Sequence, residues 1–295
     1  MNEYLRTGND EGIMTTSRDG GYPLPAEMYG KTLSHLASKN PLRSVVGLVS
    51  CEATTYDILA DGVGGVDRIS IPLHEISALP KASQRLLDDS AFDVEDWLAG
   101  RIADKFARSE ASAFVNGDGV DKPRGFLTAP QVENDVWAWG NLGYVVTGAN
   151  GDFSGADSLI DLVYALGAEY RAGASFVMNS KTSGTVRKLK DADGRFLWSD
   201  GLAANEPARL LGYPVLIAED MPDIATDAMA IAFGDFRAGY TVAERPDLRV
   251  LRDPFSAKPH VLFYATKRVG GDVSDFAAIK LLKFSRPTPE EQYHG

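Results

Sequence analysis

The residues that carry most chemistry in proteins are sparse here and badly spaced for joint work. The four histidines, His35, His74, His260 and His294, share no metal-ligand spacing, and the single cysteine, Cys51, leaves no disulfide and no Cys-based zinc or iron–sulfur site. Cys51 reads as a small apolar residue inside a strand. Asp191-Ala192-Asp193-Gly194 starts like a calcium loop but lacks the later ligands and the closing Glu, which leaves an Asp-Gly turn. Gly62-Val63-Gly64-Gly65 is glycine-rich but does not link a strand to a helix, and no phosphate loop ends in Lys-Ser or Lys-Thr. The serines form no nucleophile elbow. Asp88, Asp89, Asp93, Glu95 and Asp96 could supply paired acids for glycoside chemistry. They also sit at the start of a helix, where carboxylates complement the helix dipole without any catalytic role. The reading assigns no catalytic residue, no metal ligand and no cofactor.

The elements that would have to position an active site are well patterned. Phe92, Val94, Trp97, Leu98, Ile102, Phe106, Phe114 and Val115 recur at helical spacing and predict one long amphipathic helix within residues 90–116, with Asp104, Lys105, Arg108 and Glu110 largely on its other faces. Asn116-Gly117-Asp118-Gly119 stops it, by way of the left-handed cap that Gly and Asn accept. Residues 26–39 predict a shorter helix, with Met28, Leu33 and Leu36 on one side, ended by Asn40-Pro41. Residues 44–80 read as one long β-hairpin with a flexible tip at 61–65 and Pro72 on an edge strand, and residues 76–83 as a further strand.

A second unit begins near Ser154, read as a helix cap for Leu159, Val163, Leu166 and Tyr170. Strands are expected at 174–179, 211–219, 228–233, 247–251, 261–269 and 277–284, with a helix at 180–190. Turns are expected at Arg252-Asp253-Pro254 and Gly270-Gly271-Asp272. Residues 1–25 read as an extended arm and 286–295 as a polar tail.

Composition narrows the function. The 295 residues are 44% hydrophobic and 24% charged, with a net charge of −11. A protein that grips nucleic acid by its phosphates should be basic, although an acidic inner surface suits one that encloses DNA without holding it. No apolar run reaches the ~20 residues that cross a bilayer, and the N-terminus has no signal-peptide pattern. A cytoplasmically made protein with no membrane partner is expected. Long projecting elements without an assembled active site favour a building block over an enzyme.

Several blocks together resemble a known family. They are Gln84-Arg85-Leu86-Leu87-Asp88-Asp89-Ser90, Trp97-Leu98, Phe114-Val115-Asn116-Gly117-Asp118-Gly119, Lys122-Pro123-Arg124-Gly125-Phe126-Leu127, Gly212-Tyr213-Pro214-Val215, Met221-Pro222 and Phe233-Gly234-Asp235-Phe236, with Gly20 to Pro25 near the start. In this order, over residues 15–285, they resemble the major capsid proteins of tailed bacteriophages with the Hong Kong 97-type fold, a pattern shared by gene transfer agent capsids. The resemblance implies an α+β fold. It has an N-terminal arm (1–43), an extended loop (44–80) lying over an adjacent subunit, a peripheral domain with a long spine helix (81–150 and 246–295) and an axial domain (151–245). It implies pentamers and hexamers closing an icosahedral virion capsid around double-stranded DNA, without sequence-specific binding, assembled in the bacterial cytoplasm. A portal protein at one vertex and scaffold, protease or decoration proteins are the implied partners. An encapsulin-like nanocompartment shares this fold, and a small soluble enzyme using the acidic cluster is the reading from another class.

The chain departs from the family in two places. Some members weld their shells through a lysine in the extended loop. Residues 44–80 contain none, and the nearest is Lys81, so a noncovalent shell is expected. Many members also carry a scaffolding segment ahead of the family-like part. Here that part starts almost at once, which implies a removed segment or, as Met1 favours, a separate scaffold or a trimmed chain.

Overall fold

The computed structural model describes residues 22–23, 26–62, 65–83, 94–190, 194–196, 198–199 and 208–287. Phe92, Asp88, Asp89, Asp93, the Asp191 to Asp193 run and His294 lie outside them.

The long helix runs Val94–Asn116, about 34 Å at 1.5 Å per residue. Leu98, Ile102, Phe106, Phe114 and Val115 are buried as the stripe requires. Glu110, expected on an outer face, is fully buried among them. Trp97 is only half-buried against the core. The expected short helix spans Ala26–Lys39 and packs along the long one. Lys39 Nζ lies 2.5 Å from Asp104 Oδ1, and His35 Nε2 lies 3.4 Å from Asp96 Oδ1. Asn40 then caps a 3-10 turn, Pro41–Ser44, by accepting a hydrogen bond from Leu42 N.

The long helix covers a seven-stranded sheet organised on one long strand, His260–Val273. One edge of that strand pairs with Tyr240–Glu244 and Arg249–Ala257, the other with His74–Ala78 and Lys81–Ser83. Alternation puts Val261, Phe263, Ala265 and Val269 in the core. The expected reversal at Gly270-Gly271-Asp272 is absent, and the strand continues to Val273. A Cβ on Gly270 would stand 2.4 Å from the Pro72 carbonyl oxygen. The glycine serves a close backbone approach, a use of glycine that sequence cannot tell from a turn. Arg252-Asp253-Pro254 is likewise inside a strand, Arg249–Ala257, where the pairing register shifts after Asp253. Residues 76–83 form two short strands instead of one.

The expected hairpin at 44–80 is shorter. Gly47–Ser50 leaves it to run parallel to Tyr240–Glu244 in the large sheet. Cys51 follows that strand in a half-buried, irregular position instead of within it. The hairpin proper pairs Thr55–Gly62 with Gly65–Pro72 as a two-stranded ribbon outside both large sheets. Eight residues at about 3.3 Å each make it roughly 26 Å long.

A second, eight-stranded sheet centres on Ser175–Met178, Met229–Gly234 and Ile279–Lys283, and also takes in Tyr213–Ile217 and Leu142–Val146. The helix Asp157–Ala165 lays Leu159, Leu162 and Val163 on it, beside Phe176, Phe233 and Phe284. Ser154 does not cap this helix. Its hydroxyl bonds the Thr147 carbonyl, and Ala156 holds the cap position without a side-chain bond. The helix ends before Leu166, so Tyr170 belongs to a separate turn, Ala168–Arg171. The next helix, Ser180–Val186, is shorter than expected and is capped by Asn179.

Candidate assembly surfaces

The block that ends the long helix ties three parts of the chain together. A Cβ on Gly117 would lie 1.9 Å from the Pro123 carbonyl oxygen, so only glycine admits the returning strand of chain. Arg124 N donates to Gly271 O at 2.9 Å. Tyr240, fully buried, donates its hydroxyl to Arg124 O at 2.6 Å. Asn116 Nδ2 reaches Asp220 O at 2.8 Å and fixes the helix end to the second sheet's margin.

A buried charge cluster holds the helix to the large sheet. Arg43 donates to Glu110 and Glu244, and Lys267 lies 3.4 Å from Glu110 and 2.5 Å from Glu244. The side chains of Arg43, Glu110 and Lys267 are 5% exposed or less, and that of Glu244 is 17% exposed. Burial pushes the Glu244 carboxyl up, but Lys267 and Arg43 beside it prevail and hold it at about 2. Burial likewise works against the Arg43 charge, and Glu110 and Glu244 outweigh it and raise its pKa. Sequence reading missed this cluster, although a signal existed. Lys267 falls in phase with the buried positions of its strand, and Glu110 lies four residues after Phe106 and four before Phe114.

Among the described residues, three exposed surfaces stand out. The ribbon turns Tyr56, Ile58, Ile69 and Ile71 to one face and Asp57, Leu59, Arg68 and Ser70 to the other. Ile71 is buried at the root, whereas Leu59 is 75% exposed, beside an Asp57–Arg68 ion pair. A cleft of about 480 Å³ runs beside the long helix. Its walls are Leu79, Trp97 and Leu262, with Lys81, Arg101, Lys105 and Arg108 making it cationic. The guanidinium of Arg101 lies 5.7 Å from the Trp97 ring centre. Phe255 stands 78% exposed where Asp253 accepts bonds from Phe255 N and Ser256 N.

The structure does not gather the three described histidines. His35 pairs with Asp96, while His74 and His260 lie near opposite ends of the long strand's pairing. Among the described residues, no group of three or more His, Cys, Asp or Glu could hold a metal ion, and no helix is long and apolar enough to cross a membrane.

Mixed helices and sheets with a two-stranded ribbon outside both large sheets make up the Hong Kong 97-like capsid fold, which matches to solved structures bear out. The profile of the phage capsid family matches residues 20–284, and the chain belongs to that family. It is similar to the capsid of an empty GTA (gene transfer agent) particle, with 69% identity, TM-score 0.74, and coverage of 84% of this chain and 90% of the other. The capsid of a native GTA particle gives 67% identity, TM-score 0.74, and coverage of 84% and 97%. A holo encapsulin complex from Synechococcus elongatus shares the fold at 16% identity and TM-score 0.56, over 82% and 86% of the two chains. No curated protein sequence matches. The chain is a major capsid protein.

Proposed function

We propose that copies of this chain form pentamers and hexamers that close an icosahedral shell around double-stranded DNA. The observation that carries this reading is the 67–69% identity to the capsids of empty and native GTA particles, over more than four-fifths of the chain. The net charge of −11 supports packaging without a tight grip on phosphates. The arm is assigned to residues 1–43, the extended loop to 44–80, the peripheral domain to 81–150 and 246–295, and the axial domain to 151–245. Strands Leu142–Val146 and Ile279–Lys283 join the second sheet and so bridge the last two. The shell has a structural and not an enzymatic role, is assembled in the bacterial cytoplasm, and meets a portal protein at one vertex. Scaffold, protease or decoration proteins are its further partners.

The ribbon is the part that reaches a neighbour. Its length, its position outside both sheets and its exposed Leu59 support that role. The cationic, Trp97-lined cleft suits the Asp57 carboxylate on a neighbour's ribbon. The contact is noncovalent, since Lys81, the nearest lysine, lies in a strand of the large sheet.

Nuclease treatment of purified particles tests the content of the shell. Protected double-stranded DNA is expected. Packaged protein without DNA would replace the reading with a nanocompartment. A ladder of linked subunits on a denaturing gel would contradict the noncovalent contact.

A further inference from the structure

Among the described residues two lysines are buried, Lys267 and Lys280. Lys267 meets two carboxylates. Lys280 makes no ion pair and no hydrogen bond among the described residues. It stands on the strand Ile279–Lys283 of the second sheet and is only 5% exposed. In place of a carboxylate, its ammonium lies 4.5 Å from the centre of the Trp137 ring. That ring is held, because Trp137 Nε1 donates to Asn141 O at 2.7 Å. The amine nitrogen is not sealed from solvent.

Gly143 makes the seat. It pairs with Lys280 on the neighbouring strand, and a Cβ there would stand 2.8 Å from Lys280 Nζ. Asp275 is the charged group that acts on the amine, and its carboxylate is engaged elsewhere. Its Oδ2 accepts from the Tyr170 hydroxyl at 2.6 Å and its Oδ1 from Ala277 N at 2.9 Å. Burial outweighs Asp275 and pulls the amine down from 10.5 to about 8. Lys39, Lys122, Lys181 and Lys283 each face a carboxylate, which favours the protonated amine. A protonated amine has no lone pair to give, whereas a desolvated lysine without a counter-ion is a nucleophile.

We propose that Lys280 is an acylation site for small activated acyl groups of the acyl phosphate class. The lone pair of the neutral amine forms a bond to the acyl carbon. The bond from that carbon to the phosphate oxygen breaks, inorganic phosphate leaves with the electron pair, and the amine's proton passes to water. The narrow opening favours a two-carbon acyl group over one carried on a bulky thioester. The product is an uncharged amide, so the Trp137 ring loses the cation that ties its segment to the sheet.

The test treats the purified protein with acetyl phosphate at neutral pH and follows acetylation of each lysine by mass spectrometry of the digest. Lys280 should react about tenfold faster than Lys181, because its larger neutral fraction outweighs its poorer access. Its rate should level off above about pH 8.5 while that of Lys181 keeps rising. The preference should vanish in concentrated urea, where the seat is lost. Gly143→Ala pushes only the mobile end of the Lys280 side chain aside, so the fold holds and the Lys280 rate should fall about tenfold, toward that of an ordinary lysine. An unmodified Lys280, a rate no greater than that of Lys181, or a preference that survives urea would each overturn the proposal. So would an unchanged rate in Gly143→Ala.

Discussion

Arg43 and Glu110, 67 positions apart, meet in a two-pronged ion pair, Nε to Oε2 at 2.6 Å and Nη2 to Oε1 at 3.1 Å, with both side chains buried. The pair joins the turn after the short helix to the middle of the long one. Lys267 and Glu244 extend it into the large sheet. Two cations and two carboxylates balance, which offsets the desolvation that a buried charge otherwise costs. Removing one member leaves an unmatched charge in the core. Glu110→Gln should lower unfolding stability by about 3–5 kcal/mol, read from urea unfolding of the unassembled subunit. Arg43→Met with Glu110→Met should lose less than the two single changes summed. Additive losses would mean the two groups do not act as a unit.

The same cluster sets an acid limit. Glu244 is held at about 2 against an ordinary 4.5. A depressed carboxyl stabilises the fold above its unfolded pKa, and that contribution is lost as pH falls through the folded one. Stability should therefore decline between about pH 4.5 and 2, by up to about 3 kcal/mol from this group. Glu244→Gln should be less stable at pH 7 and lose less on acidification. Parallel acid profiles for the two proteins would rule this group out as the cause.

Trp97 and Phe106 belong to one stripe but not to one environment. Phe106 is fully buried and Trp97 half-buried under Arg101. Phe106→Ala should cost about 3–5 kcal/mol. Trp97→Ala should cost about 1–2 kcal/mol, because much of the ring already meets water. Thermal melts of the two variants compare them directly, and equal losses would contradict the burial difference. Since Trp97 also lines the cationic cleft, its variant should fold yet assemble poorly.

Leu59 touches little within its own subunit. Leu59→Asp should leave the melting temperature within about 2 °C, as surface changes usually do, while reducing particle yield in sedimentation. A normal yield would remove the ribbon's exposed face from the contact. A lower melting temperature of the unassembled subunit would mean the face packs at home.

The periodic elements were legible before any coordinates. The 3.6-residue stripe of Leu98, Ile102 and Phe106 and the strand Ile279–Lys283 stand where sequence places them. So does the helix stop at Asn116. The failures share a cause. Gly270 and Arg252-Asp253-Pro254 look like turns because local chemistry permits turns there, and strand pairing overrides it, to distant Tyr240–Glu244 for the first and across a hairpin to Leu262 for the second. Gly47–Ser50 looks like part of the hairpin because its partner is nearly 200 residues away. The charge cluster was invisible for the same reason. Its four members come from four separate stretches, and only the phase of Lys267 and Glu110 within apolar patterns hinted at burial.

The most direct test of the central claim is electron microscopy of the purified assembly. Closed icosahedral particles, with five- and six-fold capsomers built from one chain, are the predicted result. A population of monomers or small oligomers with no closed shells, under conditions where the chain is folded, would contradict it.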